Sequence, residues 1–251
     1  MRTAARIVEL AQRMRAEADQ VPVEEVSIDR LILGTECGGS DPTSGLAANP
    51  VAGICSELLV EKGATVILSE TPELIGTEAI LAERCRDEKV KEQLLSMIKA
   101  YEQDFLLVGE NPRNGNPTPG NIAGGITTLE EKSLGCIHKA GNCVIQEVVP
   151  YGAPVTQKGL VVMDTPGQDI ASIVGMAAAG AQMVVFTTGH GTPTGSGIVP
   201  VIKLTANQET AELMKDNIDF DCSEVLTKGK TIEEAGRELF ALVERVACGQ
   251  E

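Results

Sequence analysis

The sequence predicts an α/β fold, a mostly parallel sheet flanked by helices in a Rossmann-like arrangement. Two observations predict it. First, an apolar run at Leu31–Leu33 enters the glycine-rich turn Thr35-Glu36-Cys37-Gly38-Gly39-Ser40-Asp41, an amphipathic stretch from Val51 to Val60 follows, and a second apolar run covers Ala64–Leu68. That order reads as strand, turn, helix, strand in about 40 residues, the unit from which parallel sheets are built. Second, five apolar runs give way in the same manner to small polar or acidic residues with Gly or Pro. Ligands of open parallel sheets bind beyond the carboxyl ends of the strands, so five tips of one kind point to one convergent site.

The elements follow in order. Residues 3–18 place Ile7, Leu10, Ala11 and Met14 on one face, a helical spacing. With the linker after it, residues 1–28 read as an N-terminal helix and linker, and 29–251 as one α/β domain. The first strand covers 30–35. The next helix is expected to open with Asn49 as N-cap and Pro50 in its first turn, and to stop at Gly63. The second strand ends at Ser69-Glu70-Thr71-Pro72-Glu73. A long helix over about 87–107 carries Val90, Leu94, Met97, Ile98, Tyr101 and Phe105 on one stripe. Residues 109–125, GENPRNGNPTPGNIAGG, hold five Gly, three Pro and four Asn. A connection of that length without structure is usually functional, and it is expected to lie as a substrate loop at the same sheet edge. Both Thr127/Glu130 and Thr128/Glu131 have capping-box spacing for a short helix. Strands follow at 159–163, 182–186 and 199–204, ending at Asp164-Thr165, Thr187-Thr188-Gly189-His190 and Thr205-Ala206-Asn207. The last helix opens at Thr231 with Glu234 completing a capping box, and it stops at Gly249.

Composition narrows the function. A net charge of −15 argues against nucleic acid and anionic membrane as partners. No apolar run reaches membrane-spanning length, and the N-terminus lacks a signal-peptide core. Seven cysteines, none spaced C-x-x-C, fit a reducing cytoplasm. Most read as small buried residues; Cys37 stands apart because it sits in the glycine turn. Neither nucleotide fingerprint, G-x-G-x-x-G nor G-x-x-x-x-G-K-[ST], occurs. Of the two histidines, His138 reads as a surface residue near a helix end, and His190, between glycines at a strand tip, as functional. Thiolate, carboxylates, imidazole and amide oxygens together suit a borderline divalent cation such as Fe²⁺ or Mn²⁺. The expected ligands are Cys37, Asp41, Glu70 and Asp164. Gly38, Gly39, Ser40, Ser44, Asn49, Asn116, Asn121, Thr187, Thr188 and Asn207 are expected to bind substrate.

These segments resemble one family. ECGGSD with SG and ANP at 36–50, ILSETPE at 67–73, NPTPGN at 116–121, the AGG, TT and EKSLG motifs up to 135, MDTPG at 163–167, FTTG at 186–189 and PVIKLTAN at 200–207 look like the C-terminal catalytic region of altronate and galactarate dehydratases, a family that includes the large subunit of sulfolactate sulfo-lyase. The resemblance implies metal-assisted dehydration of an acidic sugar to a 2-keto-3-deoxy acid. It leaves carbon–sulfur lysis, or a non-catalytic subunit, as alternatives. Such a reaction needs a base for the proton α to the carboxylate and an acid for the departing hydroxyl; Lys132 and His190 are the candidates. Where this chain has His190 the dehydratases usually carry Arg. The family also implies a small β domain and a middle domain preceding this region. A partner docked through the N-terminal helix, or a homo-oligomer, is therefore expected.

Overall fold

The computed structural model describes residues 2–250. Seven strands form one sheet in which every pairing is parallel: β1 (Ile32–Cys37), β2 (Thr65–Leu68), β3 (Ile145–Val149), β4 (Gly159–Met163), β5 (Met183–Thr188), β6 (Val201–Thr205) and β7 (Phe220–Asp221). Their order is β3-β4-β2-β1-β5-β6-β7. From β1 the chain fills one side first, with β2 beside it, β3 at the edge and β4 between them. It then crosses to the other side at β5. The strand order therefore reverses between β1 and β5, and such a switch point is where a parallel sheet opens a crevice for a ligand.

Residues of alternate strand positions face two cores, as period-two geometry requires. Leu33, Val66, Leu68, Leu160, Val162 and Val185 pack on one face with α2 (Asn49–Glu61), α4 (Glu88–Leu107) and α10 (Ile232–Ala247). Ile67, Val161, Met163, Val184 and Phe186 pack on the other with Ile173 and Met176 of α7 (Asp169–Ala178). With no Trp and four Phe in the sequence, the core is aliphatic. No helix among the described residues is long and apolar enough to cross a membrane.

Several local readings are realised. Asp87 caps α4, its carboxylate accepting the Val90 N–H. Thr231 and Glu234 form the expected capping box of α10. Of the two overlapping threonine–glutamate pairs, Thr128 is the N-cap of α6 (Leu129–Cys136), while the Glu131 carboxylate turns back to the N–H and hydroxyl of Thr127. The 109–125 segment is not structureless. Asn111 caps a short 3₁₀ turn, and Thr118 with Asn121 makes a capping box for α5 (Pro119–Gly124). Residues 3–27, which include all but the first residue of helix α1 (Arg2–Ala18), are exposed, so the apolar stripe of Ile7, Leu10 and Met14 covers none of the body.

The helix after β1 differs from expectation. Asn49 has helical dihedrals and is not the N-cap. The cap is Asp41, whose carboxylate accepts the Ser44 N–H at 3.2 Å. Helical turns begin at Pro42, and Ser44–Ala48 form one π turn in which the Asn49 N–H reaches back to the Ser44 carbonyl. Such bulges mark functional sites more often than plain helix does.

Candidate active site

The carboxyl end of β1 carries a buried cluster. Glu36 and Cys37 are its last two residues, 0% and 5% exposed. Glu70, 1% exposed, follows β2. It is the one non-glycine residue with positive φ among those described, at φ 70° and ψ 67°. A left-handed glutamate is strained. Here its N–H donates to Thr165 Oγ1 at 2.6 Å, which ties it to the end of β4. This bend aims the carboxylate back across β1. One oxygen accepts the Cys37 N–H at 2.9 Å and the other faces the Cys37 thiol at 3.3 Å.

Lys139 closes the cluster. It lies in the 3₁₀ turn Ile137–Ala140 after α6 and is 0% exposed. Its ammonium pairs with Glu70 and donates to Cys136 Sγ at 3.1 Å. Cys136 Sγ is in turn 3.9 Å from Cys37 Sγ. The turn is held inward by Ser56 of α2, whose hydroxyl donates to the Lys139 carbonyl at 2.7 Å. Removing one member of such a buried pair costs about 3–5 kcal/mol, because the other is left charged and dry.

Charge states follow from the burial. Desolvation pushes the Glu36 carboxyl well above its ordinary range and the nearby Glu70 pushes it further, so burial favours the protonated form. Its Oε2 lies 2.5 Å from Ser172 Oγ and 3.0 Å from Ser69 Oγ, and its Oε1 has no partner. Burial raises Glu70 as well, against the pull of Lys139. The Cys37 thiol is pushed well up by contact with Cys136 and by burial. Burial works against the Lys139 ammonium, but the facing Cys136, Cys37 and Glu70 outweigh it.

Above the cluster is a cavity of about 260 Å³. Six of the residues singled out from the sequence line it: Cys37, Ser40, Asp41, Ser44, Asn49 and Lys132. Cys37 is the link between cavity and buried cluster. The hydroxyl of Ser40 is buried and unpartnered. Lys132 pairs with Glu73 at 2.8 Å and donates to Asn116 Oδ1 at 2.8 Å. Burial would lower its pKa, but Glu73 more than compensates, so it stays an ammonium. As it stands Lys132 gives a proton and does not accept one. His138 also lines the cavity. It is exposed at the surface, as the sequence suggests; the partial burial of its ring and then Arg84 hold the imidazole below the ordinary value, which leaves it neutral at pH 7.

The other selected residues surround this floor and are engaged with one another. Gly38 donates its N–H to the Thr187 carbonyl at 3.1 Å; a Cβ there would stand 2.7 Å from Asp169 Oδ2 and from Phe186 Cζ, so no side chain fits. The Gly39 carbonyl accepts the His190 N–H at 2.8 Å. Asn49 bridges the two sides of the switch point, accepting from Thr187 Oγ1 at 2.6 Å and donating to the Gly135 carbonyl at 2.9 Å. Asn121 donates to the Ser40 carbonyl at 2.8 Å, which fixes the 109–125 segment at this sheet edge, as expected. Thr188 Oγ1 accepts the Gly191 N–H at 3.0 Å. Asn207 caps α8 (Gln208–Leu213) and donates to Asp41 Oδ2 at 2.9 Å.

The geometry sets three of the expected residues apart from the cluster. His190 is exposed, lies against Gly124 and does not line the cavity. Asp41 does not join Cys37 and Glu70 as a ligand, since Thr43, Ser44 and Asn207 take up its carboxylate. Asp164 accepts the Thr71 hydroxyl at 2.6 Å and is likewise apart. Among the described residues, the ligand atoms that gather within 4.8 Å are those of Cys37, Glu70 and Cys136. Cys136 and Lys139 went unselected because a lysine beside a histidine in a short turn reads as surface. Only the packing of that turn on α2 buries it.

An all-parallel sheet with a buried lysine–carboxylate–thiol cluster beside a small cavity at its switch point defines an α/β protein with a candidate ligand site beyond its strand ends. Residues 28–251 match the family model described as D-galactarate/altronate dehydratase, C-terminal, and the chain belongs to that family. It is 41% identical over 228 residues to an altronate dehydratase of Escherichia coli (strain K12), covering 91% of this chain and 46% of that protein. It is 38% identical over 244 residues to a galactarate dehydratase (L-threo-forming) of the same organism, covering 97% of this chain and 46% of the relative. It is 37% identical over 238 residues to the (2R)-sulfolactate sulfo-lyase subunit beta of Chromohalobacter salexigens, covering 93% and 60%. The chain thus spans about half the length of the dehydratases it matches.

Proposed function

We propose that this chain carries the catalytic region of a sugar-acid dehydratase, a hydro-lyase that converts an altronate- or galactarate-like acid to a 2-keto-3-deoxy acid. Family membership supports the reaction class. The observation that carries the assignment of the site is the pairing of a cationic Lys132 with a neutral His138 around one cavity. In this reading Lys132 exchanges Glu73 for the substrate carboxylate, and the free Ser40 hydroxyl bonds a sugar hydroxyl. His138 takes the proton α to the carboxylate and, as imidazolium, delivers it to the departing 3-hydroxyl, which leaves as water, and the enol so formed tautomerises to the 2-keto acid. The buried Cys37–Glu70–Lys139 cluster keeps the cavity floor fixed and dry, so charge developing above it meets a preorganised field.

The donor chemistry read from the sequence suits Fe²⁺ or Mn²⁺ at this site. The cluster that gathers holds an ammonium in contact with two of its three ligand groups. It does not fit a divalent cation as it stands, and no step is routed through one.

The test is keto-acid formation from a panel of aldonates and aldarates, with sulfolactate included. Keto acid from a sugar acid supports the proposal. Sulfite release from sulfolactate alone replaces it with carbon–sulfur lysis, as in the sulfo-lyase relative. We also propose that a companion module completes the catalyst, because the dehydratase relatives are about twice as long and α1 presents an uncovered apolar stripe. Full turnover by this chain alone, unchanged on adding a family N-terminal fragment, would refute that part.

A further inference from the structure

We infer that Lys139 is the resident cation of the Cys37–Glu70–Cys136 cluster, standing where a metal ion would stand, and that its presence keeps divalent metals off these ligands. The three groups have the chemistry of a borderline metal site. Their ligand atoms lie within 4.8 Å of one another, and all three residues are buried. Two thiols and a carboxylate suit zinc or ferrous iron. The geometry assigns that place to an amine. Glu70 Oε2 and Cys136 Sγ are 4.0 Å apart. An ion at metal–ligand distances of about 2.1 Å from the oxygen and about 2.3 Å from the sulfur has a narrow ring of positions between them. Lys139 Nζ is 3.1 Å from the same sulfur and pairs with the same oxygen. Every position on the ring is then within about 3 Å of Nζ, by those metal–ligand distances. An ammonium and a dication do not share that space in a dry interior.

Nor can Lys139 step aside. Its side chain is 0% exposed, its turn packs on Gly53 with no room for a Cβ, and its carbonyl is held by Ser56. The lysine does for the cluster what a metal does elsewhere: it draws Glu70 and Cys136 together and, through Glu70, fixes the Cys37 backbone and thiol at the cavity floor. This inference does not rest on the dehydratase reading.

The experiment uses the full chain and Co²⁺ as the probe, with cobalt stoichiometry and thiolate-to-cobalt charge-transfer absorption as readouts, neither of which requires turnover. Wild type is expected to show no such absorption and the same cobalt content as the Cys37→Ser/Cys136→Ser variant. Lys139→Met, checked for folding by circular dichroism, is expected to gain about one equivalent of cobalt with that absorption, as two thiolates and a carboxylate would give. Adding Cys136→Ser should abolish the absorption. Thiolate–cobalt absorption in wild type that disappears in Cys136→Ser would overturn the inference, and so would a folded Lys139→Met that takes up no cobalt. Should Lys139→Met fail to fold, Lys139→Gln, which keeps hydrogen bonding without the charge, provides the same comparison.

Discussion

At the scale of single residues, the site is a division of protonation states. His138 is held neutral and Lys132 charged, so the proposed base and cation act in the same pH range. The sign is definite: an imidazole whose pKa is lowered works above that pKa and is lost to protonation below it. The acid limb of kcat/KM should therefore fall below the ordinary histidine range. His138→Asn should remove that limb and cost about 100-fold or more in kcat, with the unfolding midpoint little changed because His138 is at the surface of the cavity. An unaltered acid limb would move the base elsewhere. Glu36 gives a second prediction, on stability. Its folded pKa is raised, so its contribution is complete below the unfolded value near 4.5 and declines as pH rises, while the unfolded chain ionises and the native one does not. The slope is about 1.4 kcal/mol per pH unit for one proton. Glu36→Gln should flatten the stability curve as pH rises above the unfolded value near 4.5, by up to one proton's worth. Equal slopes for variant and wild type in urea unfolding would show that Glu36 is ionised in the fold.

At the scale of elements, what could be read in advance was local and what could not was tertiary. The β1–turn–α2–β2 unit, the strand tips and the caps at Thr128 and Thr231 follow from patterns a few residues long. Strand β3 was not read, because Ile145–Val149 is short and half-covered, and its pairing beside β4 is a long-range fact. The buried Lys139 was missed for the same reason. Its position depends on Gly53, where a Cβ would stand 2.2 Å from the His138 carbonyl. Helix propensity alone says that Gly→Ala in mid-helix stabilises by about 1 kcal/mol. Here Gly53→Ala should instead destabilise by about 1–3 kcal/mol through overpacking, and should lower turnover by displacing the turn that carries both His138 and Lys139. Thermal unfolding of the variant decides between the two signs.

At the scale of the molecule, the sheet, helices α2 and α10 and the cavity form a body in which α1 takes no part. Deleting residues 2–27 should leave the body's unfolding free energy in urea within about 0.5 kcal/mol of the full chain. A larger loss would show that the arm packs on the body in solution. The family assignment was legible because its motifs are the strand ends themselves, where the backbone turns and the polar groups collect. Which of those polar groups hold the architecture and which face the ligand was not legible. Asp41, Asn121 and Asn207 look like binding residues in sequence, yet they spend their hydrogen bonds on each other, on caps and on the backbone around them.

The π turn at Ser44–Ala48 has a mechanical consequence. One extra residue per turn acts as a gear tooth: it advances everything after it by about 100° around the helix axis. Asn49 meets Thr187 and Gly135 only because of that advance. Leu46, 65% exposed, sits within the turn and contributes nothing to the core. Excising it alone would leave composition and burial almost untouched while winding the segment back to ordinary α-helix. The amide that joins β5 to α6 would then point away from both. The tie between β5 and α6 would be lost to a change of count, while the β1–β5 ladder stayed intact.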